Sequence, residues 1–350
     1  MAAARGRGPT DLAECATGFL TKYLVDERGC SRLTVGSYAR TLAGLFGHVS
    51  AERGVPVDRL ALRDLTAEGV KSYLGSVESS GCCASTRNLR LAAVKSFSRY
   101  ALRDHPAFML EGERILAIAA KRVPKGQPDY LEAEAMRALL AAPDQSTTTG
   151  RREAALMSTL YDTGARISEL LGLELRDLRL DGGDCAARLL GKGGKVRTVP
   201  ITTATAGLVL AHIADRGIDQ HDQPSLSAAA FCPPGRSRYT RPGVAKMINR
   251  NLQRAREAHP EIPFPESSHP HAFRASRAIH LLDSGVDVIR VRDFLGHVSV
   301  QTTEIYLRVT TEQTREAVRA AYPALVEASD PELRKDKDLM EFLRDMCRSQ

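Results

Sequence analysis

The chain has 350 residues with a formal net charge of +7 at pH 7, and 43% of its residues are hydrophobic. This length predicts two domains, because a single hydrophobic core stops growing at about 250–300 residues. The hydrophobic content is ordinary for a soluble globular protein, and no apolar run approaches the roughly 18 residues that a membrane helix needs.

The N-terminal sequence MAAARGRGPTD lacks the apolar segment of a secretory signal peptide. We therefore expect a cytoplasmic protein whose residues 1–10 form a flexible basic arm. The seven Cys residues include no C-x-x-C pair, which favours reduced structural thiols over a zinc ribbon or a disulfide framework.

The positive charge is concentrated in the first third of the chain. Residues 1–125 hold 19 Lys and Arg against 12 Asp and Glu, whereas the remaining 225 residues hold 30 of each sign. A basic unit joined to a larger neutral one fits a clamp on a phosphate backbone next to a domain with more selective chemistry. The charge distribution is equally consistent with a basic domain that is merely soluble.

The N-terminal third has the periodicity of helices. From Asp11 to about Ala120, Gly, Ser and Pro breaks separate amphipathic runs. In the run STRNLRLAAVKSFSRYAL, one arc is expected to face the core and consists of Leu89, Ala93, Phe97 and Tyr100. The other side carries Arg87, Arg90, Lys95 and Arg99. These basic residues are candidate DNA contacts, and the alternative is a charged face that is only solvated.

The segment AKRVPKGQPDYL at 120–131 is typical of an interdomain linker. It mixes basic residues with Gly and two Pro and shows no periodicity, so we place the domain boundary near residue 126. Lys121, Arg122 and Lys125 could lie along a nucleic-acid backbone.

The second part is predicted to be mostly helical with a small sheet. EAEAMRALLAA and REAALMSTLYDTG indicate helices, and RISELLGLELRDLRL begins another. CAARLLGKGGKVRTVPI shows two short extended runs around a Gly-rich turn, which predicts a β-hairpin. The remainder, from about Thr203, is predicted to be helices separated by loops.

Four segments together resemble the tyrosine recombinase family, the phage integrase group of DNA breaking and joining enzymes. They occur in the family's order and are TGARISELLGL, LLGKGGKVRTVPI, HPHAFRASRAIHLL and LGHVSVQTTEIYLRV. The resemblance covers residues 128–322 and, more loosely, the helical N-terminal unit. Matching each position to the family's motifs gives a catalytic set of Arg166, Lys192, His271, Arg274, His297 and Tyr306. The sequence departs from the family pattern at Ala275, where many members have a His.

The resemblance implies a role for each of these residues. Tyr306 would attack a DNA phosphate and form a 3′-phosphotyrosyl bond, with Arg166 and Arg274 clamping the phosphate oxygens. Lys192 on the hairpin would protonate the leaving 5′ oxygen. His271 could accept the tyrosyl proton, and His297 could donate to a non-bridging oxygen. No metal or other cofactor is implied.

Neighbouring residues are expected to support this site. Glu169 would orient it from behind Arg166. Lys195 and Arg197 share the hairpin and are candidate contacts to DNA phosphates, although a solvated turn explains both equally well.

Each catalytic residue also has an ordinary structural explanation. A lone Tyr is usually a packing residue, and Arg166 alone could form a surface ion pair with Glu169 or Asp162. A metal site built from the chain's His residues is disfavoured, because no H-E-x-x-H motif or Cys partner at ligand spacing occurs.

The fold class implied is mainly α: a helical, SAM-like core-binding domain at 11–125 and a catalytic domain at 126–323 with a small antiparallel sheet, together forming a C-shaped DNA clamp. Residues 324–350 are expected to form a tail helix for protomer contact.

The expected partners are double-stranded DNA with specific recombination sites and further copies of the chain, which would form a tetramer on DNA. A sister recombinase could replace some of these copies. The expected function is site-specific DNA recombination, by integration, excision or resolution of a mobile element, in a cytoplasmic, nucleoid-associated protein. The alternatives are type IB topoisomerase-like DNA relaxation and a non-catalytic DNA-binding accessory protein.

Overall fold

The computed structural model describes residues 8–123, 126, 128–191, 194–218, 225–233, 235, 238–296, 303 and 306. The chain divides into two compact units, Met1–Lys125 and Gly126–Gln350. The predicted tail helix at 324–350 and most of the predicted arm at 1–10 lie outside the described residues. Within those described ranges, no helix is both long enough and apolar enough to cross a membrane.

The first unit is helical, as the sequence predicts. Side-chain oxygens cap its helices: Thr10 accepts a hydrogen bond from the amide of Ala13, and Ser31 accepts one from the amide of Thr34. The first helix continues into π-helical turns over Phe19–Glu27. The α-helices of its described residues are α1 (Asp11–Gly18), α2 (Arg32–Arg53), α3 (Ala67–Ser79), α4 (Ala84–Ala101) and α5 (Met109–Ala117).

Helix α4 turns a different face to the core from the one predicted. Ala93 and Phe97 are buried as expected, but Leu89 is 64% exposed and Arg87 only 8% exposed. The buried apolar stripe consists of Leu91, Ala93, Val94, Phe97 and Ala101. Arg87 begins this stripe, and its Nε lies 3.7 Å from Glu78 Oε2. The predictions that Leu89 faces the core and that Arg87 belongs to a basic outer face are therefore wrong.

The second unit is mostly helical with a small antiparallel sheet, which confirms the predicted secondary-structure class. Its described α-helices are α6 (Ala133–Ala141), α7 (Thr148–Thr163), α8 (Ile167–Leu170), α9 (Thr203–Asp215), α10 (Arg241–Ala258), α11 (Pro270–Asp283) and α12 (Val288–Leu295). Its described strands are β1 (Leu178–Arg179), β2 (Ala186–Leu190) and β3 (Val196–Pro200), in the order β1-β2-β3.

Strands β2 and β3 form the predicted hairpin, with Leu190 opposite Val196 at its loop end. The adjoining segment differs from the prediction, because α8 contains only four residues and the chain then enters a 3₁₀ turn and β1. Gly172 follows α8, and glycine disfavours helix continuation. The Asp177 carboxylate then accepts a hydrogen bond of 3.1 Å from the amide of Glu174, which fixes the 3₁₀ turn.

The described residues of the second unit form two apolar clusters. The larger one contains buried residues of α6, α7, α9, α10 and the sheet. The smaller one lies on α11 and α12 and includes Ala275, Ile279, Val291 and Leu295. Tyr306 packs in this smaller cluster, so the predicted nucleophile lies against α11, the helix that carries His271 and Arg274.

Candidate active site

Arg166 and Glu169 open the short helix α8, directly after the end of α7. Glu169 Oε2 accepts a hydrogen bond of 2.9 Å from the Arg166 amide, and Oε1 accepts one of 2.8 Å from Arg166 Nη1. The Glu169 side chain is 4% exposed, whereas that of Arg166 is 38% exposed. The ion pair considered from the sequence therefore exists, and it fixes the arginine from behind while leaving part of it open to solvent. The other partner considered, Asp162, instead accepts hydrogen bonds from Thr202.

Arg197 on β3 completes the surroundings of Glu169. Its Nη2 and Nη1 donate to Glu169 Oε2 and Oε1 at 2.8 and 3.2 Å. Its Nε donates to the carbonyl oxygen of Phe294 at 3.0 Å. These partners lie inside the protein and differ from the DNA phosphates expected for Arg197. The other hairpin candidate, Lys195, is exposed.

Arg274 is almost completely buried on α11. Its Nη1 donates to the carbonyl oxygen of Gly164 at 2.6 Å, and its Nη2 donates to that of Leu295 at 2.7 Å. Burial, followed by the charge of Arg166, lowers the pKa of Arg274 to about 10. The guanidinium therefore remains a cation at neutral pH, and two backbone carbonyls fix its orientation.

His271 lies in the first turn of α11, three residues before Arg274, so both project toward the same side. His269 caps this helix, because its Nδ1 accepts a hydrogen bond of 3.1 Å from the Ala272 amide. Partial burial of the His271 ring, followed by the charges of Arg274, His269 and Arg166, lowers the pKa of His271. The imidazole is therefore neutral at pH 7 and able to accept a proton.

Tyr306 is 4% exposed. Burial raises the pKa of Tyr306, and the positive charges of Arg274 and Arg166 oppose that rise. Tyr306 packs in the same cluster as Leu295, whose carbonyl oxygen accepts a hydrogen bond from Arg274. Ala275, where the family pattern often has a His, is also fully buried in the cluster that holds Tyr306.

Three predicted site residues, Lys125, Lys192 and His297, lie outside the described residues. The residue before His297 is Gly296, which ends α12 with a φ of 65°. Among the described residues, no group of three His, Cys, Asp or Glu side chains could hold a metal ion.

The basic candidates of the first unit occupy different environments. Arg90 donates from Nη1 to the Tyr73 hydroxyl at 3.3 Å, and Lys121 Nζ lies 2.7 Å from Glu78 Oε1. Lys95 is half-buried, and the remaining candidates on exposed positions are Arg99 and Arg122. The exposed residues are accessible to a DNA backbone.

Sequence reasoning missed the internal role of Arg197, although the strand contained a signal for it. Side chains alternate along a strand, so Arg197 shares a face with Val199, which is buried. Two-residue periodicity therefore points Arg197 toward the core.

Family models match both units. The model described as the phage integrase family matches residues 129–313, and the phage integrase N-terminal SAM-like domain matches residues 18–105. Tyrosine recombinase XerC of Myxococcus xanthus is 32% identical over 303 residues, which cover 86% of this chain and 95% of that protein. XerC of Rhodospirillum centenum is 33% identical over 305 residues, covering 86% and 85%.

Solved structures share the fold. XerH site-specific recombinase bound to palindromic difH substrate aligns with a TM-score of 0.64 at 22% identity, over 86% of this chain and 84% of that one. A lambda integrase dimer bound to a COC′ core site gives 0.60 at 17% identity, over 85% and 77%. The topoisomerase and accessory-protein alternatives are not favoured by these matches. The chain belongs to the phage integrase family and is a tyrosine-type site-specific recombinase.

Proposed function

We propose that this chain cleaves and rejoins double-stranded DNA at specific sites through a covalent bond between the Tyr306 oxygen and a 3′ phosphate. One observation carries the proposal: the buried Tyr306 packs in the same cluster as Leu295, and Arg274 donates hydrogen bonds to the carbonyl oxygens of Leu295 and of Gly164, two residues before Arg166. A nucleophile and two guanidinium groups are thereby gathered in one site, as an attack on a phosphodiester requires.

Arg166 and Arg274 stabilise the negative charge that opposes the reaction. A phosphodiester repels an attacking oxygen, and negative charge builds up on its non-bridging oxygens in the transition state. Guanidinium forks donate paired hydrogen bonds to such oxygens and stay charged at physiological pH. Arg274 is anchored by Gly164 and Leu295, and Arg166 by Glu169, so both are oriented before DNA arrives.

Proton transfers complete each displacement. As the bond from Tyr306 oxygen to phosphorus forms and the bond from phosphorus to the 5′ oxygen breaks, His271 accepts the phenolic proton and Lys192 protonates the leaving oxygen. His297 donates to a non-bridging oxygen. The assignments of Lys192 and His297 rest on the motifs, and that of His271 also rests on its lowered pKa.

One ester is exchanged for another, so the energy of the phosphodiester is retained in the phosphotyrosyl bond and the reaction needs no nucleotide cofactor. Attack by the 5′ hydroxyl of a different strand gives recombination. Attack by the original strand restores the starting duplex.

We further propose that the basic N-terminal unit binds the DNA backbone on which the catalytic unit acts, with a domain boundary near residue 126. The relatives in solved structures that are bound to DNA support this assignment. The proposed backbone contacts are Arg90, Lys95, Arg99, Lys121, Arg122, Lys125 and Lys195. Such contacts weaken as salt rises, and they would place the enzyme at the nucleoid.

Assembly on DNA is the next proposal. Four copies, or pairs of this chain and a sister recombinase, would join two sites, with the tail at 324–350 docking on a neighbouring protomer. Deleting residues 329–350 should preserve binding to one site in a gel-shift assay and abolish the paired-site complex. Paired-site complexes and recombination at the wild-type level in the truncated protein would contradict the docking role.

A nicked suicide substrate tests the central reaction. The DNA is taken from the ends of the mobile or chromosomal element that surrounds the gene, and a nick near the scissile phosphate lets the cleaved fragment diffuse away. We expect a protein–DNA adduct that survives denaturation. If wild-type protein binds the DNA with high affinity and forms no adduct on any end sequence, the proposed chemistry is wrong.

A further inference from the structure

Arg197 joins parts of the catalytic unit that are far apart in the sequence. From β3, it donates two hydrogen bonds to Glu169 on α8 and one to the carbonyl oxygen of Phe294 on α12. Its side chain is 13% exposed. One guanidinium therefore connects the hairpin, the base of Arg166 and the end of a helix.

The end of α12 is held by two arginines. Arg197 binds the carbonyl of Phe294, and Arg274 binds that of the next residue, Leu295, at 2.7 Å. Cations are favourable there because the last carbonyls of a helix have no partner within it and carry partial negative charge. A Cβ at Gly296 would lie 3.1 Å from Arg197 Cδ, so the backbone packs directly on the Arg197 side chain just before His297.

Three arginines, each from a different element, act on the buried carboxylate of Glu169. Arg166 belongs to its own helix, Arg197 approaches from β3, and the charge of Arg274 acts on it from α11. Burial raises the pKa of Glu169, but the hydrogen bonds from Arg197 and then Arg166 outweigh burial and lower it. Loss of Arg197 would leave the burial and remove the paired hydrogen bonds, so the pKa of Glu169 would rise.

We propose that Arg197 is a positioning residue of the recombination reaction, which keeps Glu169 as the anion that orients Arg166 and ties this pair to the end of α12. The inference rests on the proposed function, since it takes Arg166 as a ligand of the scissile phosphate. All three guanidinium nitrogens of Arg197 donate to acceptors within the protein, so the proposal assigns it no contact with DNA or the reacting atoms. Its loss is therefore expected to affect cleavage and leave binding unchanged.

The pH dependence of the cleavage rate distinguishes a positioning role of Arg197 from a general role in stabilising the fold. Single-turnover cleavage of the nicked substrate is measured with saturating protein from about pH 5 to about pH 8. The variants are Arg197→Met, Arg197→Lys, Glu169→Gln and the double variant with Arg197→Met and Glu169→Gln. Arg188→Met is the matched control, because Arg188 lies exposed on the neighbouring strand, 3.6 Å from Asp177.

We expect Arg197→Met to lower the plateau rate at least about tenfold, with DNA affinity within about twofold of wild type. Its rate should also fall off at a higher pH than the wild-type rate does, because Glu169 without the paired hydrogen bonds is protonated more readily. Arg197→Lys keeps a cation but loses the paired geometry, so its profile should lie between the two. The shift should disappear in the double variant, because Gln does not titrate.

Profiles of Arg197→Met and Arg197→Lys that coincide with wild type would overturn the inference, as would a shift that persists in the double variant. If circular dichroism shows that Arg197→Met is unfolded, the comparison of Arg197→Lys with wild type decides. Absence of an adduct from the wild-type protein is a separate result, which contradicts the proposed function itself.

Discussion

Nη1 of Arg274 donates a hydrogen bond of 2.6 Å to the carbonyl oxygen of Gly164, two residues before Arg166. The second arginine of the proposed phosphate clamp thus holds the turn from which the first one projects. Its other anchor, the carbonyl of Leu295, belongs to the cluster that contains Tyr306. The clamp and the nucleophile are therefore parts of one packed unit.

Arg166→Lys and Arg274→Lys should each lose most cleavage although the charge is kept. An ammonium group cannot reproduce the paired hydrogen bonds of a guanidinium, and the expected rise in barrier is about 2–4 kcal/mol, comparable with losing one preorganised oxyanion donor. Single-turnover cleavage with saturating protein measures the effect. A variant that cleaves at the wild-type rate would remove that arginine from the clamp.

Gly164→Ala should destabilise the catalytic unit and slow cleavage. Gly164 ends α7 with a φ of 54°, and a Cβ there would lie 2.8 Å from Leu295 Cδ2. The left-handed backbone costs an alanine about 1–2 kcal/mol, and the steric overlap adds about 1–3 kcal/mol.

Gly285→Ala is the control for Gly164→Ala. Gly285 has a φ of 83° but open space around the Cβ position, so it should show only the backbone cost. Urea unfolding of both variants measures the difference. Equal losses of stability would mean that the contact with Leu295 is unimportant.

Lys192→Ala should be rescued selectively by a modified substrate. A sulfur atom in place of the bridging 5′ oxygen leaves readily without protonation. Cleavage of that substrate should recover toward the wild-type rate, while cleavage of ordinary DNA stays impaired. An equal defect on both substrates would limit Lys192 to DNA positioning, and Lys195 would become the next candidate for the acid.

The stability of the catalytic unit should fall as the pH drops from about 6.5 to 4, partly because of His212. This residue is 2% exposed on α9. Burial, then the charges of Arg216 and Arg152, lowers its pKa to about 4. The unfolded chain therefore binds the proton first on acidification, and the folded state loses up to roughly 3 kcal/mol across this window.

His212→Asn should flatten this pH dependence in urea unfolding, whatever its effect on stability at neutral pH. The slope of stability against pH between about 4 and 6.5 is the quantity to compare with wild type. A variant with an unchanged slope would show that other groups cause the acid sensitivity.

The catalytic motifs could be recognised from the sequence because their residues are fixed in type and spacing, as with His271 and Arg274 on one helix face. The helices of both units and the β2–β3 hairpin also followed from periodicity. These features depend on short stretches of chain. They are therefore readable without knowledge of the tertiary packing.

The predictions that were wrong or incomplete concern features that depend on contacts across the fold. Two apolar tracks were possible on α4, and the choice between Leu89 and Leu91 depends on the helices packed against it. Strand alternation indicates that Arg197 points inward, but its partners, Glu169 28 residues earlier in the sequence and Phe294 97 residues later, leave no local pattern. The segment after α8 likewise pairs with a distant part of the chain, because the Leu175 amide donates to the carbonyl oxygen of Ala228 at 3.0 Å and the Ala230 amide donates to that of Leu173 at 2.9 Å.

The central claim is that Tyr306 carries the covalent bond to DNA. The direct measurement is mass spectrometry of the peptide that remains attached to DNA after digestion of the adduct formed on the nicked substrate, run alongside Tyr306→Phe. We predict a phosphotyrosyl bond on Tyr306 in the wild type, and no adduct but unchanged DNA affinity in Tyr306→Phe, since that change removes only the hydroxyl. An adduct mapped to another residue, or one that persists in Tyr306→Phe, would contradict the account.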